Sequence, residues 1–206
     1  MKLHISYNIP DLTKALEIAE QTAEFADIMG IGSLLLYKEG IKAIKTFKST
    51  FPNKDLFVEA KIIEKAPDAI TMMAQAGARY ISVLAGALNS TIKKAVETAK
   101  LFDTQIALDL FDGKANGQAA YDAKAMGIDI LIMNRLPNKI DELTGLSADW
   151  PSVRENTNLP IFITGKIDRS NLQQIIDLKP QCIMIGAAIT KASSPYQEAQ
   201  YIKSLL

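Results

Sequence analysis

Short apolar runs alternate with longer amphipathic stretches along the whole chain, and this alternation restricts the fold more than any other feature. The apolar runs have the length of strands, and helical patterns follow them. They occupy residues 3–8, 27–32, 56–61, 80–85, 105–110, 129–134, 160–165 and 181–186. Because a helix after each strand returns the chain to the same end of the sheet, right-handed crossovers should join parallel strands. The sequence therefore predicts an α/β fold with a parallel sheet.

The number of these units favours a closed barrel over an open, doubly wound sheet. A doubly wound fold usually has fewer strands and a Gly-rich turn after the first one, and residues 6–14 (SYNIPDLTK) contain no such turn. Dividing 206 residues over eight units leaves about 26 residues per unit, which suits a compact barrel. We predict a single compact (β/α)8 TIM barrel domain over residues 1–206.

Composition narrows the class of protein further. Lys plus Arg equals Asp plus Glu at 23 each, so no overall field attracts nucleic acid or an anionic membrane. The apolar runs are strand-sized and Met1 precedes a strand pattern, so neither a spanning helix nor a signal peptide is predicted. Cys182 is the single cysteine and lies in an apolar run, where we expect a core residue. These features predict a cytoplasmic protein.

The third predicted strand carries charged residues that an ordinary buried strand lacks. Within residues 57–65 (FVEAKIIEK), Glu59 and Lys61 are two residues apart, a spacing that places both side chains on one face. A lysine beside a carboxylate can hold or deliver a proton where a carbanion or enolate develops. Glu64 follows in the loop, within reach of the same site or of a neighbouring subunit. The alternative is a structural salt bridge, but an unneeded buried ion pair rarely improves stability, so we favour a catalytic role.

Polar residues also end the fifth and sixth predicted strands. Asp109 lies in an otherwise apolar run, where a carboxylate without a partner is costly, and Lys61 or a metal ion is its natural partner. Asn134 and Arg135 follow the sixth strand at the barrel mouth. Arg135 is placed to contact an anionic substrate, or it is a solvated loop arginine.

The first two strands give weaker signals. His4 lies at the bottom of its strand, where a structural hydrogen-bonding role is expected. Asn8 lies at the top, where it either binds a ligand hydroxyl or starts the following loop. Gly30 and Gly32 in the second strand either let a ligand or a side chain approach the backbone closely or are turn residues.

Glycines after the seventh and eighth strands predict a phosphate site. In this type of barrel, backbone N–H groups and a helix N-terminus at these two strand ends hold a phosphate dianion. The residues predicted to bind phosphate are Gly165, Lys166, Gly186 and Ala187. The alternative, a pair of ordinary turns, does not explain why both glycines follow the expected strands.

These strand ends and the chain length resemble the orotidine-5'-phosphate decarboxylase superfamily. Within it, the chain is most similar to the branch of 3-hexulose-6-phosphate synthase and 3-keto-L-gulonate-6-phosphate decarboxylase. The similarity runs over the whole chain and includes residues 39–52 (EGIKAIKTFKSTFP), 75–87 (QAGARYISVLAGA), 90–100 (STIKKAVETAK) and 184–190 (MIGAAIT). Residues 107–112 (ALDLFD) resemble the synthase more than the decarboxylase.

The resemblance implies roles for the third-strand residues. The superfamily motif Asp-x-Lys-x-x-Asp corresponds here to Glu59, Lys61 and Glu64, with both acids longer by one methylene. In the superfamily the first acid ligates Mg²⁺, the lysine aids proton transfer, and the last acid reaches across a dimer interface. The resemblance therefore implies Glu59 as a metal ligand, Mg²⁺ as cofactor, and a homodimer with active sites at its interface.

Four positions depart from the family pattern. Asn8 replaces an Asp at the end of the first strand, and Gly30 replaces a metal-binding Glu in the second. Asn134 replaces a His in the sixth, and Lys166 replaces the second glycine of the phosphate turn. Because a hard divalent cation requires anionic oxygen ligands, these changes weaken a metal site more than a phosphate site.

The leading hypothesis is a lyase, an aldolase that joins ribulose 5-phosphate to formaldehyde through a metal-stabilised enediolate. One alternative is a decarboxylase of a keto-sugar-acid phosphate from the same branch. Another, from a different class, is a non-catalytic protein that binds a sugar phosphate with a decayed metal site. All three imply a phosphorylated sugar as the ligand.

Overall fold

Eight parallel strands close into a barrel in the computed structural model, which describes residues 1–111, 116–134 and 149–206. The strands pair in sequence order, and β8 returns to β1. They are β1 (Lys2–Tyr7), β2 (Ile28–Ile31), β3 (Asp55–Ile62), β4 (Tyr80–Leu84), β5 (Gln105–Asp109), β6 (Ile130–Asn134), β7 (Ile161–Thr164) and β8 (Cys182–Ile185). The predicted (β/α)8 TIM barrel is confirmed.

Helices connect successive strands. They are α1 (Leu12–Thr22), α2 (Ser33–Glu39), α3 (Ile41–Thr50), α4 (Ala66–Gln75), α5 (Asn89–Ala99), α6 (Asn116–Ala125), α7 (residues 149–154), α8 (Leu172–Asp177), α9 (Ala187–Thr190) and α10 (Pro195–Ser204). Side-chain caps fix some of their starts: Asp11 accepts a hydrogen bond from the Lys14 N–H at the start of α1. In the described ranges, no helix combines the length and the apolar character needed to cross a membrane.

Two layers of apolar side chains hold the barrel together. The larger layer packs strands against helices, and a second cluster joins apolar side chains from seven of the strands. The second cluster consists of Ile28, Phe57, Tyr80, Ala107, Ile130, Ile132, Phe162, Cys182 and Met184. The prediction of Cys182 as a core residue is confirmed, and burial raises the pKa of its thiol. The barrel centre is therefore a packed core, so we expect a ligand to bind at the C-terminal ends of the strands.

Strand β3 is irregular where its charged residues lie. Its pairing with β4 shifts register between Val58 and Ile62, which marks a bulge. Lys61 has a φ of 48°, in the left-handed region that a non-glycine residue rarely adopts. Its N–H donates to the Ser82 Oγ at 2.9 Å instead of to a neighbouring strand carbonyl. The bulge therefore ends the regular alternation of side chains and re-aims Lys61.

Candidate active site

Lys61 and Asp109 form an ion pair at the barrel mouth. The Lys61 Nζ contacts the Asp109 Oδ2, which joins the C-terminal ends of β3 and β5. Asp109 is almost completely buried, whereas 27% of the Lys61 side chain remains exposed. The predicted pairing of these two residues is confirmed. Within the pair, Lys61 is the member that a ligand can reach.

Burial raises the pKa of Asp109 above its ordinary value. The Lys61 ammonium, the Phe111 N–H and the Asn134 side chain act in the opposite direction but offset only part of this effect. The Phe111 N–H lies 3.0 Å from the Asp109 Oδ1. A carboxylate whose charged form is disfavoured by burial accepts a proton readily. The Lys61–Asp109 pair is therefore suited to taking up and returning a proton.

Glu59 contacts β1, contrary to the prediction that it pairs with Lys61. Its Oε1 accepts a hydrogen bond from the Ser6 Oγ at 2.5 Å and lies 3.5 Å from the His4 Nε2. The prediction fails because the bulge in β3 interrupts the strand alternation on which it depends. Lys61 still acts on Glu59 through its charge.

The environment of Glu59 favours its charged form. Burial opposes ionisation, but the contact with His4, the hydrogen bond from Ser6 and the charge of Lys61 outweigh it. The pKa of Glu59 therefore lies below its ordinary value. Glu59 remains a carboxylate under conditions in which Asp109 is more readily protonated.

His4 lies fully buried against Gly30. A Cβ atom at Gly30 would lie 2.0 Å from the His4 Nε2, so no side chain fits there while His4 keeps its position. The His4 ring also packs on Phe57 with 5.1 Å between ring centroids. Neither His4 nitrogen has a regular hydrogen bond among the described residues, so the expected hydrogen-bonding role is not observed. The interpretation that Gly30 permits a close approach is confirmed, with His4 as the approaching group.

Asn8 and Gly32 form a second close contact at the neighbouring strand ends. A Cβ at Gly32 would lie 2.5 Å from the Asn8 Cα. The Asn8 Oδ1 accepts a hydrogen bond from the Leu34 N–H at 2.7 Å, which caps α2. One end of the Asn8 amide is thus structural. Binding of a ligand hydroxyl by its exposed NH₂ group stays a prediction.

Three further residues were predicted at the mouth: Asn134, Glu64 and Arg135. Asn134 ends β6, and its side chain lowers the pKa of Asp109, so it belongs to the Lys61–Asp109 cluster. Glu64 is exposed in the loop after β3. Arg135 lies outside the described residues.

The predicted phosphate residues lie at the ends of β7 and β8. Gly165 has a φ of 128°, which a residue with a side chain rarely adopts, and the Lys166 side chain is exposed. Ala187 begins α9, where the first backbone N–H groups have no intrahelical acceptor. A Cβ at Gly186 would lie 3.3 Å from the Ser6 carbonyl oxygen, so this rim adjoins β1. These residues are placed where an anion could bind their N–H groups.

Two residues of the site were missed from the sequence. Asn171, which is buried, donates to the Lys166 carbonyl at 2.9 Å and accepts from the Asp168 N–H at 3.1 Å, and so it fixes the loop after β7. Ser82 accepts the Lys61 N–H at the bulge. A single polar residue inside the apolar run of β4 was the available signal for Ser82. Asn171 gave none, because its role depends on the folded loop.

Within residues 1–111, 116–134 and 149–206, the side chains at the mouth do not fit a magnesium ion. In the part of the chain that the structure describes, no group of three or more His, Cys, Asp or Glu side chains is placed to hold a metal. Position 30 offers no ligand, and Asp109 is occupied by the Lys61 ammonium. Glu59, the predicted ligand, shares one oxygen with Ser6 and His4. Magnesium requires several oxygen ligands in near-octahedral geometry, and one carboxylate beside an ammonium does not supply them.

Fold and mouth together define a small (β/α)8-barrel protein with charged pairs at its strand ends. Residues 1–202 match the family described as orotidine 5'-phosphate decarboxylase / HUMPS, and the chain belongs to that family. The family predicted from the third-strand motif and strand ends is thereby confirmed.

Relatives and solved structures agree with this assignment. A 3-hexulose-6-phosphate synthase of Bacillus subtilis (strain 168) is 27% identical over 100% of this chain and 99% of its own. The crystal structure of 3-hexulose-6-phosphate synthase from Salmonella typhimurium superposes with a TM-score of 0.90 at 24% identity, covering 100% and 98% of the two chains. That of 3-keto-L-gulonate-6-phosphate decarboxylase from Vibrio cholerae has a TM-score of 0.83 at 23% identity, covering 98% and 95%. At these identities the solved structures establish a shared fold.

Proposed function

We propose that this chain is a lyase of the hexulose-phosphate synthase type, which joins ribulose 5-phosphate to formaldehyde. The Lys61–Asp109 pair at the mouth carries the proposal. An ammonium in contact with a buried carboxylate suits the proton transfers that create and consume a carbanion next to a ketone. The full-length similarity to a synthase from Bacillus subtilis supports this reaction.

In the proposed reaction, Lys61 removes one proton from the substrate and later returns it to the product. Within the pair, a proton passes from Lys61 to Asp109, whose pKa burial raises, and the resulting amine accepts a proton from C1 of the pentulose. The Lys61 ammonium then stabilises the enediolate oxygen. C1 of the enediolate attacks the carbonyl carbon of formaldehyde, and Lys61 returns the proton to the new alkoxide. The proton held by Asp109 then passes back to Lys61, which restores the ion pair. The proton lost from carbon is thus the proton gained by oxygen.

The loop after β7 anchors the substrate phosphate in this proposal. Lys166 supplies a positive charge at the rim, and the loop N–H groups supply donors. Asn171 holds the loop through the Lys166 carbonyl, so the donors are positioned before the ligand arrives. A fixed phosphate places C1 at a set distance from Lys61, which favours reaction at one carbon.

We also propose a homodimer that covers the β2–β5 side of the mouth. Four exposed apolar side chains follow four consecutive strands: Leu34 (48% exposed), Ile63 (55%), Leu88 (74%) and Phe111 (45%). The Phe111 ring centroid lies 5.4 Å from the Lys61 Nζ, so a partner on this surface would shield the ion pair from water. Glu64, next to Ile63, would then reach the partner's mouth.

An assay with candidate substrates tests the proposed reaction. Purified protein should consume formaldehyde only when ribulose 5-phosphate is present and should form a six-carbon phosphosugar. Release of CO₂ from a keto-sugar-acid phosphate, without synthase activity, would replace the synthase by the decarboxylase. Calorimetric binding of a phosphosugar without turnover of either substrate would leave a binding protein.

A further inference from the structure

His4 and Gly30 are matched to each other within the barrel. Any other residue at position 30 would have a Cβ atom only 2.0 Å from the His4 Nε2, which is too close for the two atoms to coexist. Gly30 lies inside β2, paired with Ser6, and is not among the glycines with positive φ in the described residues. Glycine is therefore required at this position by the contact with His4 and not by the backbone conformation.

We propose that this mouth operates without a divalent cation, because His4 takes the room that a metal-binding side chain in β2 would need. The inference rests on the proposed function in treating this mouth as the ligand site. It goes further in assigning His4 as a positioning residue beside Glu59, because the His4 Nε2 lies 3.5 Å from the Glu59 Oε1. Glu59 then presents its second oxygen, which has no hydrogen bond within the described ranges, toward a ligand hydroxyl.

The contacts of the two carboxylates support a site without metal. Asp109 has the Lys61 ammonium as its counter-ion, whereas one oxygen of Glu59 accepts a hydrogen bond from the Ser6 hydroxyl and lies 3.5 Å from the His4 Nε2. Each carboxylate therefore already has its own partner. A hard cation would have to displace one of these groups and would also meet the positive charge of Lys61.

Cation binding tests the inference separately from turnover. Protein stripped with a chelator is titrated with Mn²⁺, a paramagnetic substitute for Mg²⁺, and free Mn²⁺ is followed by electron paramagnetic resonance. The wild type should leave the Mn²⁺ signal unchanged. The double variant His4→Ala/Gly30→Glu, which exchanges the imidazole for a carboxylate beside Glu59, should bind Mn²⁺ at least about tenfold more tightly than the wild type.

Tight Mn²⁺ binding by the wild type that Glu59→Gln abolishes would overturn the inference. A folded double variant that binds Mn²⁺ no better than the wild type would also contradict it. Because this readout requires no substrate, it separates failure of the inference from failure of the proposed reaction. A wild type that ignores Mn²⁺ but lacks synthase activity would refute only the reaction.

A double-mutant cycle followed by melting temperature tests the steric conflict between His4 and position 30 even if the double variant does not fold. Gly30→Ala should lower the melting temperature strongly in the wild-type background, because its methyl group collides with His4. The same substitution in a His4→Ala background should lower it much less. Equal effects in both backgrounds would mean that His4 does not fill this space.

Discussion

The barrel mouth contains two carboxylates in opposite environments. Asp109 contacts an ammonium but is so deeply buried that its pKa is raised. Glu59 contacts an imidazole and a hydroxyl, and its pKa is lowered. Carboxylates whose pKa values are pushed apart in one site commonly have different roles. Asp109 is thus suited to exchange a proton through Lys61, and Glu59 to remain charged and hold a ligand.

The backbone of β3 also directs Glu59 and Lys61 to different strands. The bulge in β3 lies between Val58 and Ile62, so it includes Glu59 as well as Lys61, whose backbone is in the left-handed conformation. Such a conformation costs about 1–3 kcal/mol and is enriched at functional sites. We infer that the strain is tolerated because it sends Lys61 toward β5 while Glu59 stays with β1.

Removing Lys61 should have the largest effect. We expect Lys61→Ala to lower turnover about 10²- to 10⁴-fold, because it removes the proton carrier. It should also lower the free energy of unfolding by about 3–5 kcal/mol, because Asp109 would be left as a buried charge without its partner. Synthase assays and urea unfolding measure the two effects on one preparation.

Lys65→Ala is the matched control for that variant. Lys65 has a similar left-handed φ of 54°, but its side chain is exposed and has no ion pair among the described residues. It should therefore show nearly unchanged turnover and stability. If Lys61→Ala loses stability but wild-type protein shows no turnover, Lys61 is only a structural partner of Asp109.

Weaker phosphate binding is expected when Lys166 is removed. Lys166→Ala should weaken sugar-phosphate binding by about 1–3 kcal/mol, the value of a charge-assisted contact. Lys179→Ala serves as control, because this exposed lysine precedes β8 at the other end of the barrel. Calorimetry with ribulose 5-phosphate compares the variants. Equal affinity in the wild type and Lys166→Ala would show that the side chain points into solvent.

The two carboxylates should respond to pH with opposite signs. The raised pKa of Asp109 contributes stability that is present at acid pH and lost as pH rises through its folded value. The lowered pKa of Glu59 contributes stability that is present above its ordinary value of 4.5 and lost as pH falls through its folded value. Asp109→Asn and Glu59→Gln each remove one of these contributions.

Urea unfolding of both variants from about pH 3 to pH 7 measures the difference. The stability of the wild type relative to Asp109→Asn should fall as pH rises. Relative to Glu59→Gln it should rise over the acid part of the range. The same sign for both variants would show that the two environments do not differ as described.

The fold was predictable because it depends on patterns that the sequence displays directly. The run at residues 105–110 became β5, Gln105–Asp109, since apolar strands alternate with amphipathic helices throughout. Pairing of Asp109 with Lys61 was predictable as well, because a buried carboxylate needs a partner and few cations lie at strand ends.

The contacts of Glu59 were not predictable in the same way. Its assignment to Lys61 assumed a regular strand, and the bulge in β3 has no clear sequence signal. The match of His4 to Gly30 depends on the register between β1 and β2, which the sequence does not specify. Local patterns therefore predicted the elements, whereas contacts across strands required the structure.

Exchange of the C1 hydrogens of ribulose 5-phosphate with D₂O tests the central claim, proton transfer by the Lys61–Asp109 pair, most directly. Proton NMR follows the exchange without formaldehyde, so it reports enediolate formation alone. We predict that the wild type and Lys65→Ala exchange these hydrogens, and that Lys61→Ala binds the sugar phosphate but does not. Equal exchange by Lys61→Ala, or no exchange by wild-type protein that binds the sugar phosphate, would contradict the account.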